Sequence, residues 1–127
     1  ASEQAGKLIT EFAKRYNPKD LPTIVVGDMN ACPGDGFHKN MTKFYKDAFV
    51  VAEKNNSKLP GTYNGPGGGD EHFTRSDRRI DHVYIHSTDN GKITVKDYTV
   101  NRDKYNCGGK EFYPSDHNPV VVDLTIK

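Results

Sequence analysis

The sequence predicts an α/β domain. Three observations carry that prediction: an amphipathic helical pattern at the start, apolar β-branched runs ending in acidic and amide groups, and proline- and glycine-rich stretches between them. At 127 residues the chain has the length of one domain. Leu, Ile, Val and Phe make up 26 of those residues, about a fifth, which implies a thin core. They cluster in strand-like and helix-like runs, so the chain reads as ordered, with long polar loops.

The first element is a helix. Ala5, Leu8, Ile9, Phe12, Ala13 and Tyr16 recur at helical spacing, and Ser2 stands where a cap is needed. Glu3 lies in the first turn and Lys14 and Arg15 in the last, where the helix dipole favours those signs. Asn17-Pro18 stops it. Residues 23–27 follow as a short, almost wholly apolar run, the pattern of a central strand covered on both faces, ended by Gly27. Pro33-Gly34-Asp35-Gly36 makes a turn. Phe37, Met41, Phe44, Tyr45 and Ala48 then give a second amphipathic helix, broken near Asp47.

Residues 55–78 are polar and glycine-rich, with Thr62-Tyr63-Asn64 strand-like and Gly65 to Gly69 irregular. The stretch lacks the spacing and the strand-to-helix setting of a phosphate-cradling loop. Residues 80–86 form a strand with Asp81, Val83 and Ile85 on one face and His82, Tyr84 and His86 on the other. Asn90-Gly91 predicts a hairpin turn into a return strand at 93–101, polar enough to lie toward a sheet edge. Residues 102–112 read as a loop, and 119–126 close the chain as a buried strand.

A formal net charge of +1 argues against a surface built to hold long nucleic acid by counterion release, so an anionic ligand must be gripped locally. Arg75, Arg78 and Arg79 offer such a grip; the plainer reading is a solvated charged loop. Cys32 and Cys107 form no metal-ligand pattern and fit either free thiols or one bridge. No segment reads as a signal peptide or membrane span, and the location of the parent protein, cytoplasmic or secreted, is left open.

Chemistry concentrates at three strand ends: Asp28 and Asn30 after the first strand, Asp81 at the start of the next, and Asp116-His117 ahead of the last, between Pro114 and Pro119. Singly, each has an ordinary reading as turn, cap or loop residues bonded to their own backbone. Together they place carboxylate, amide and imidazole groups where rigid elements can hold a site.

The signatures Gly27-Asp28-Met29-Asn30, Arg79-Ile80-Asp81-His82-Val83 and Ser115-Asp116-His117-Asn118-Pro119, in this order, resemble the C-terminal half of the endonuclease/exonuclease/phosphatase superfamily, the DNase I-like metal-dependent phosphohydrolases. Gly61-Thr62-Tyr63-Asn64-Gly65 is similar to a Thr-aromatic-x-Gly segment in one branch of it. The resemblance implies one mixed, mostly antiparallel sheet with helices on one face, half of a four-layer α/β sandwich, with residues 1–127 as the C-terminal half-domain. It further implies a hydrolase of phosphate esters (phosphodiesterase, nuclease or phosphatase) using Mg²⁺ or Mn²⁺.

In family terms Asp28 orients or deprotonates the water, Asn30 hydrogen-bonds the nucleophile or the phosphate, and Asp116 holds the metal. Asp81 pairs with His117, fixing its tautomer and raising its pKa so that it donates to the phosphate. Arg79, with Asn30, is the expected substrate contact. The family's first half supplies an Asn, a metal-ligating Glu and usually a further His, and this chain carries none of them. Glu53, Glu71 and Glu111 are acidic but lie in no comparable motif. The chain is therefore expected to be weak or inactive alone. A sheet face with residues from the strands at Ile24, Val83 and Val120 needs the missing N-terminal half or a self-association partner to cover it. The alternative is a non-catalytic binding or interaction half-domain with relic motifs. The expected partner is a phosphate-ester substrate, nucleic acid among the possibilities.

Overall fold

The computed structural model describes residues 1–55, 59–65 and 74–127; the glycine-rich 66–69 stretch and Glu71 lie outside them. Helix α1 spans Glu3–Arg15, and Ser2 caps it by accepting from the Ala5 amide at 3.3 Å. Gly6 lets α1 lie directly on α2, Gly36–Met41: a Cβ there would meet the Phe37 carbonyl oxygen at 3.1 Å and Asn40 Cβ at 3.2 Å.

Strand β1, Thr23–Asp28, runs antiparallel to β4, Asp81–His86, and the two-residue β2, Lys46–Asp47, pairs with the other edge of β4. Helix α3, Ala48–Val51, leads from β2 to β3, Lys54–Asn55. A second three-stranded sheet has the order β3-β5-β8, with β5 at Ile93–Val100 and β8 at Val120–Ile126. Strands β6, Tyr105–Cys107, and β7, Lys110–Phe112, make an exposed hairpin.

The alternation of β4 divides the core in two. Tyr84 points toward the helices and packs with Ala31, Phe37, Met41 and Tyr45. Val83 and Ile85 point the other way and join Ala48 with Ile93, Val95, Tyr98 and Val100 of β5. The α/β class and the half-sized DNase I-like architecture are as expected.

Several local expectations differ from the structure. Strand β1 is not covered on both faces: Ile24 is 41 % and Val26 63 % exposed, although both share the face of Val83 and Ile85 through their register. The Asn90-Gly91 turn does not fold β4 onto β5. Its Thr88–Gly91 bridge instead carries the chain from one sheet to the other, tied down by Asn90 Nδ2 donating to the Lys19 carbonyl at 3.0 Å. Strand β5 lies between β3 and β8 rather than at an edge, and a bulge between Val95 and Asp97 keeps its apolar residues inward. The second helical pattern splits because the Asp47 carboxylate accepts from the Phe49 amide at 3.0 Å, capping a new short helix. Within residues 102–112 lies the β6–β7 hairpin, and β8 is only half buried, with Val121 55 % exposed.

Gly91 is buried against Pro22, and a Cβ there would collide with the proline ring. Gly91→Ala is expected to cost about 1–3 kcal/mol through overpacking, read as a lower urea midpoint; an unchanged midpoint would mean that this contact gives way freely.

Candidate active site

The register of β1 on β4 sets Asp28 opposite Asp81 at the last rung of the ladder. Directly opposed residues share a face, so two carboxylates stand together with like charge, an unfavourable pairing without a cation between them. His117 supplies it. Its Nδ1 lies 2.8 Å from Asp81 Oδ2, and its Nε2 lies 3.7 Å from Asp28 Oδ2. A carboxylate only accepts, so Nδ1 carries a proton and Nε2 faces Asp28. Burial pushes the His117 pKa down, but the Asp81 hydrogen bond and the charges of Asp81, Asp28 and Asp116 together outweigh it and raise the pKa above 6.5.

Behind this pair sits Thr62, fully buried. Its hydroxyl donates to Asp81 Oδ2 at 2.7 Å and accepts from the amides of Ile80 and Asp81, each at 3.1 Å. Asp81 is thus held from two sides.

The segment carrying His117 is docked by backbone bonds onto the same strand-like fragment. The Asn64 amide donates to the Asp116 carbonyl and the Asn118 amide to the Thr62 carbonyl, both at 2.7 Å. Asn64 Nδ2 spans the loop, donating to Asn118 Oδ1 at 3.1 Å and the Ser115 carbonyl at 3.2 Å. Asp116 itself is exposed beside His117. Asn30 follows Asp28 in a left-handed conformation, φ 46°, its amide donating to Asp28 Oδ1 at 2.9 Å. Asp28, Asp81 and His117 line one cleft of about 380 Å³, walled by Val26, Val83 and Val120.

The arginines do not reach this cleft. Arg79, expected to bind substrate, is 3 % exposed and pairs with Asp47 at 2.9 Å, because it enters β4 from the helix side. Arg75 pairs with Asp77, and Arg78 donates to the Gly65 carbonyl over the Tyr63 ring. His38, Asp47 and His82 form a second, buried group with metal-ligand spacing. The Arg79 guanidinium already serves as its cation, within hydrogen-bond reach of Asp47 and His82. Burial first, and the Arg79 charge with it, lower the His82 pKa to about 4, so the ring is neutral at ordinary pH.

Sequence reasoning missed Thr62 as the support of Asp81, and missed Asp47, although an aspartate opening the apolar run Asp47-Ala48-Phe49-Val50-Val51 is the kind of residue that needs a buried partner. Both cysteines are free thiols, so the bridge is not formed.

The donors fit a hard divalent cation only through oxygen. Asp28, Asp81 and His117 bring one ligand atom each within 4.8 Å of one another; Asp81 Oδ2 is already engaged by His117 and Thr62, and among the described residues Asp28 Oδ2 and the exposed Asp116 carboxylate are further oxygens at this end of the cleft.

A family profile described as "Endonuclease/Exonuclease/phosphatase family" matches residues 1–117. Among solved structures, a mannosyl-6-phosphatase of Bacteroides thetaiotaomicron is 28 % identical with a TM-score of 0.79, over 94 % of this chain and 44 % of that one. An endonuclease/exonuclease/phosphatase family protein of the same organism is 28 % identical with a TM-score of 0.81, over 96 % and 43 %. One from Bacteroides vulgatus, 21 % identical with a TM-score of 0.76 over 98 % and 44 %, shows the fold alone. The chain spans less than half the length of these structures. No curated protein sequence matches it.

A raised His117 pKa means that its protonated form favours the fold. That contribution is whole below the unfolded value of 6.5 and is lost as pH rises through the folded one. Histidine NMR titration of the metal-free chain should place His117 above 6.5, and Asp81→Asn should lower it; a pKa indifferent to Asp81 would refute the pairing.

Proposed function

Because the chain belongs to the endonuclease/exonuclease/phosphatase family, we propose that it carries the C-terminal part of the active site of a metal-dependent phosphate-ester hydrolase. The observation supporting this most is His117 held between two opposed carboxylates, 2.8 Å from one and 3.7 Å from the other. Hydrolysis needs a water aimed at phosphorus and donors for the developing charge on the phosphoryl oxygens. Asp28, at the rim, orients that water and takes its proton. Asn30 hydrogen-bonds the water or the phosphate. His117, its pKa raised despite burial by the Asp81 hydrogen bond and charge, donates in its protonated form from Nε2 to a phosphoryl oxygen. The water oxygen bonds to phosphorus as the bond from phosphorus to the ester oxygen breaks, and the departing alkoxide takes a proton from solvent to leave as an alcohol.

Asp116 would help hold a divalent cation, Mg²⁺ or Mn²⁺, which when bound neutralises charge on the phosphoryl oxygens. The mannosyl-6-phosphatase at 28 % identity favours a sugar phosphate as substrate, and a net charge of +1 weighs against long nucleic acid. Among the described residues no helix is long and apolar enough to cross a membrane.

The exposed Ile24 and Val26 support a further reading: polypeptide beyond this chain, or a second copy, covers that face. The 127-residue chain is then expected to associate with rising concentration in sedimentation, and Val26→Lys to weaken the association; a strict monomer unaltered by the substitution would remove this reading.

For catalysis, the polypeptide extended to the full length of its relatives should release phosphate from mannose 6-phosphate in Mg²⁺ or Mn²⁺ and lose the activity with EDTA. His117→Ala should lower kcat by about 10²–10⁴-fold. No turnover of mannose 6-phosphate or an aryl phosphate in either metal would instead favour the non-catalytic half-domain.

A further inference from the structure

Two of the three strand ends are fixed by contacts already described, Asp81 by Thr62 and His117 by the Asn64 and Asn118 bonds. The third, the Asp28–Ala31 tip, leaves its sheet at Asp28 and turns through a left-handed Asn30, a conformation uncommon outside glycine and one that neighbours must hold. Two bonds hold it. Before the turn, the Met29 amide donates to the Ile80 carbonyl at 2.9 Å. After it, the Ala31 carbonyl, on a residue only 1 % exposed, lies 2.6 Å from His82 Nε2.

The second bond fixes the chemistry of everything behind it. A carbonyl only accepts, so the proton of the neutral His82 ring is on Nε2, and Nδ1 is left as an acceptor. Arg79 meets it from 3.3 Å with one amino group and reaches Asp47 Oδ2 at 2.9 Å with the other. Asp47 in turn is anchored at the start of α3 by the Phe49 amide at 3.0 Å. The order of bonds runs Ala31, His82, Arg79, Asp47, α3, and each side chain in it is at most 4 % exposed.

We infer that His82 and Arg79 are positioning residues that set the Asp28 and Asn30 tip against the Asp81–His117 pair. The two clamps that tie the tip to β4 come from Ile80 and His82, the immediate neighbours of Asp81. Three consecutive residues therefore align both sides of the cleft: the Ile80 carbonyl and the His82 ring hold the water-orienting side, and the Asp81 carboxylate holds the imidazole. What the tip does rests on the phosphate-ester reading; how it is held does not.

The test separates the two. His82→Leu fills the space without a donor, and His82→Gln restores an amide N–H for the Ala31 carbonyl. In the 127-residue chain, His82→Leu should accelerate amide exchange at Met29 and Asn30 by about tenfold or more, while Tyr98 and Val122 in the β5–β8 ladder stay within about twofold. His82→Gln should keep all four within about twofold of the parent. In the full-length polypeptide, His82→Leu should lower kcat about 10²-fold with KM within about threefold, as expected when reacting groups shift by an ångström, and His82→Gln should recover most of the loss. The inference is overturned if exchange at the tip is unchanged in His82→Leu, or if it rises by the same factor as in the ladder, which would make His82 an ordinary core residue. Should Arg79→Lys and both His82 variants fail to fold, its Arg79–His82 relay would be a folding element and the inference likewise falls. A full-length polypeptide without turnover defeats the phosphate-ester reading alone, because the exchange measurement still decides how the tip is held.

Discussion

Two carboxylates facing each other across the end of an antiparallel ladder impose the constraint on which the rest of this structure depends. Asp28 and Asp81 are a directly opposed pair, separated by little more than the spacing between strands. Nothing in the ladder relieves that repulsion, because backbone hydrogen bonds bring the two residues together regardless of their charge. Relief has to arrive from outside the sheet, and here it comes from a loop 36 residues downstream of Asp81, through His117. The loop is not merely near: it adds itself to the Thr62–Asn64 fragment by paired backbone bonds, and Thr62 is also the buried donor to Asp81. One short stretch thus fixes both members of the acid–imidazole pair.

Which parts of this were legible in the sequence follows from whether the signal is local or tertiary. The strand-end motifs could be read because a strand ending in Gly27-Asp28-Met29-Asn30 announces its own chemistry within a few residues. So could the Asp81–His117 pairing, on the strength of a family resemblance. Arg79 could not be read correctly. It sits beside Arg75 and Arg78, and as a cluster the three look like an anion grip; only the fold reveals that Arg79 turns inward to an aspartate 32 residues earlier. The Asn90-Gly91 hairpin failed for a related reason. The local turn chemistry is sound, but β1 and β2 already occupy both edges of β4, so the chain had to leave for the other sheet.

Strand β1 illustrates the same limit from the opposite side. Its composition is that of a strand buried on both faces, and within this chain one face stays bare. Tyr84 and the helices satisfy Val25 on one side, whereas Ile24 and Val26 line up with Val83 and Ile85 yet lie beyond what β5 and β8 can cover. An apolar run in the sequence marks a face suited to burial without fixing how much of that face the chain itself covers.

The buried polar chain behind the Asn30 tip raises the question of why hydrophobic residues do not stand there. On stability alone they would serve as well, since a buried ion pair such as Arg79–Asp47 recovers little beyond its desolvation cost and apolar replacements of like volume are often as stable. What apolar packing cannot provide is direction. A leucine in place of His82 would fill the same space and leave the Ala31 carbonyl free to rotate, whereas a ring with its proton confined to Nε2 accepts one arrangement of the tip. The network is also connected end to end: Asp47 fixes Arg79, Arg79 leaves His82 its one donor, and that donor fixes Ala31. A site whose two opposed carboxylates must face one imidazole needs such directional support more than it needs additional burial.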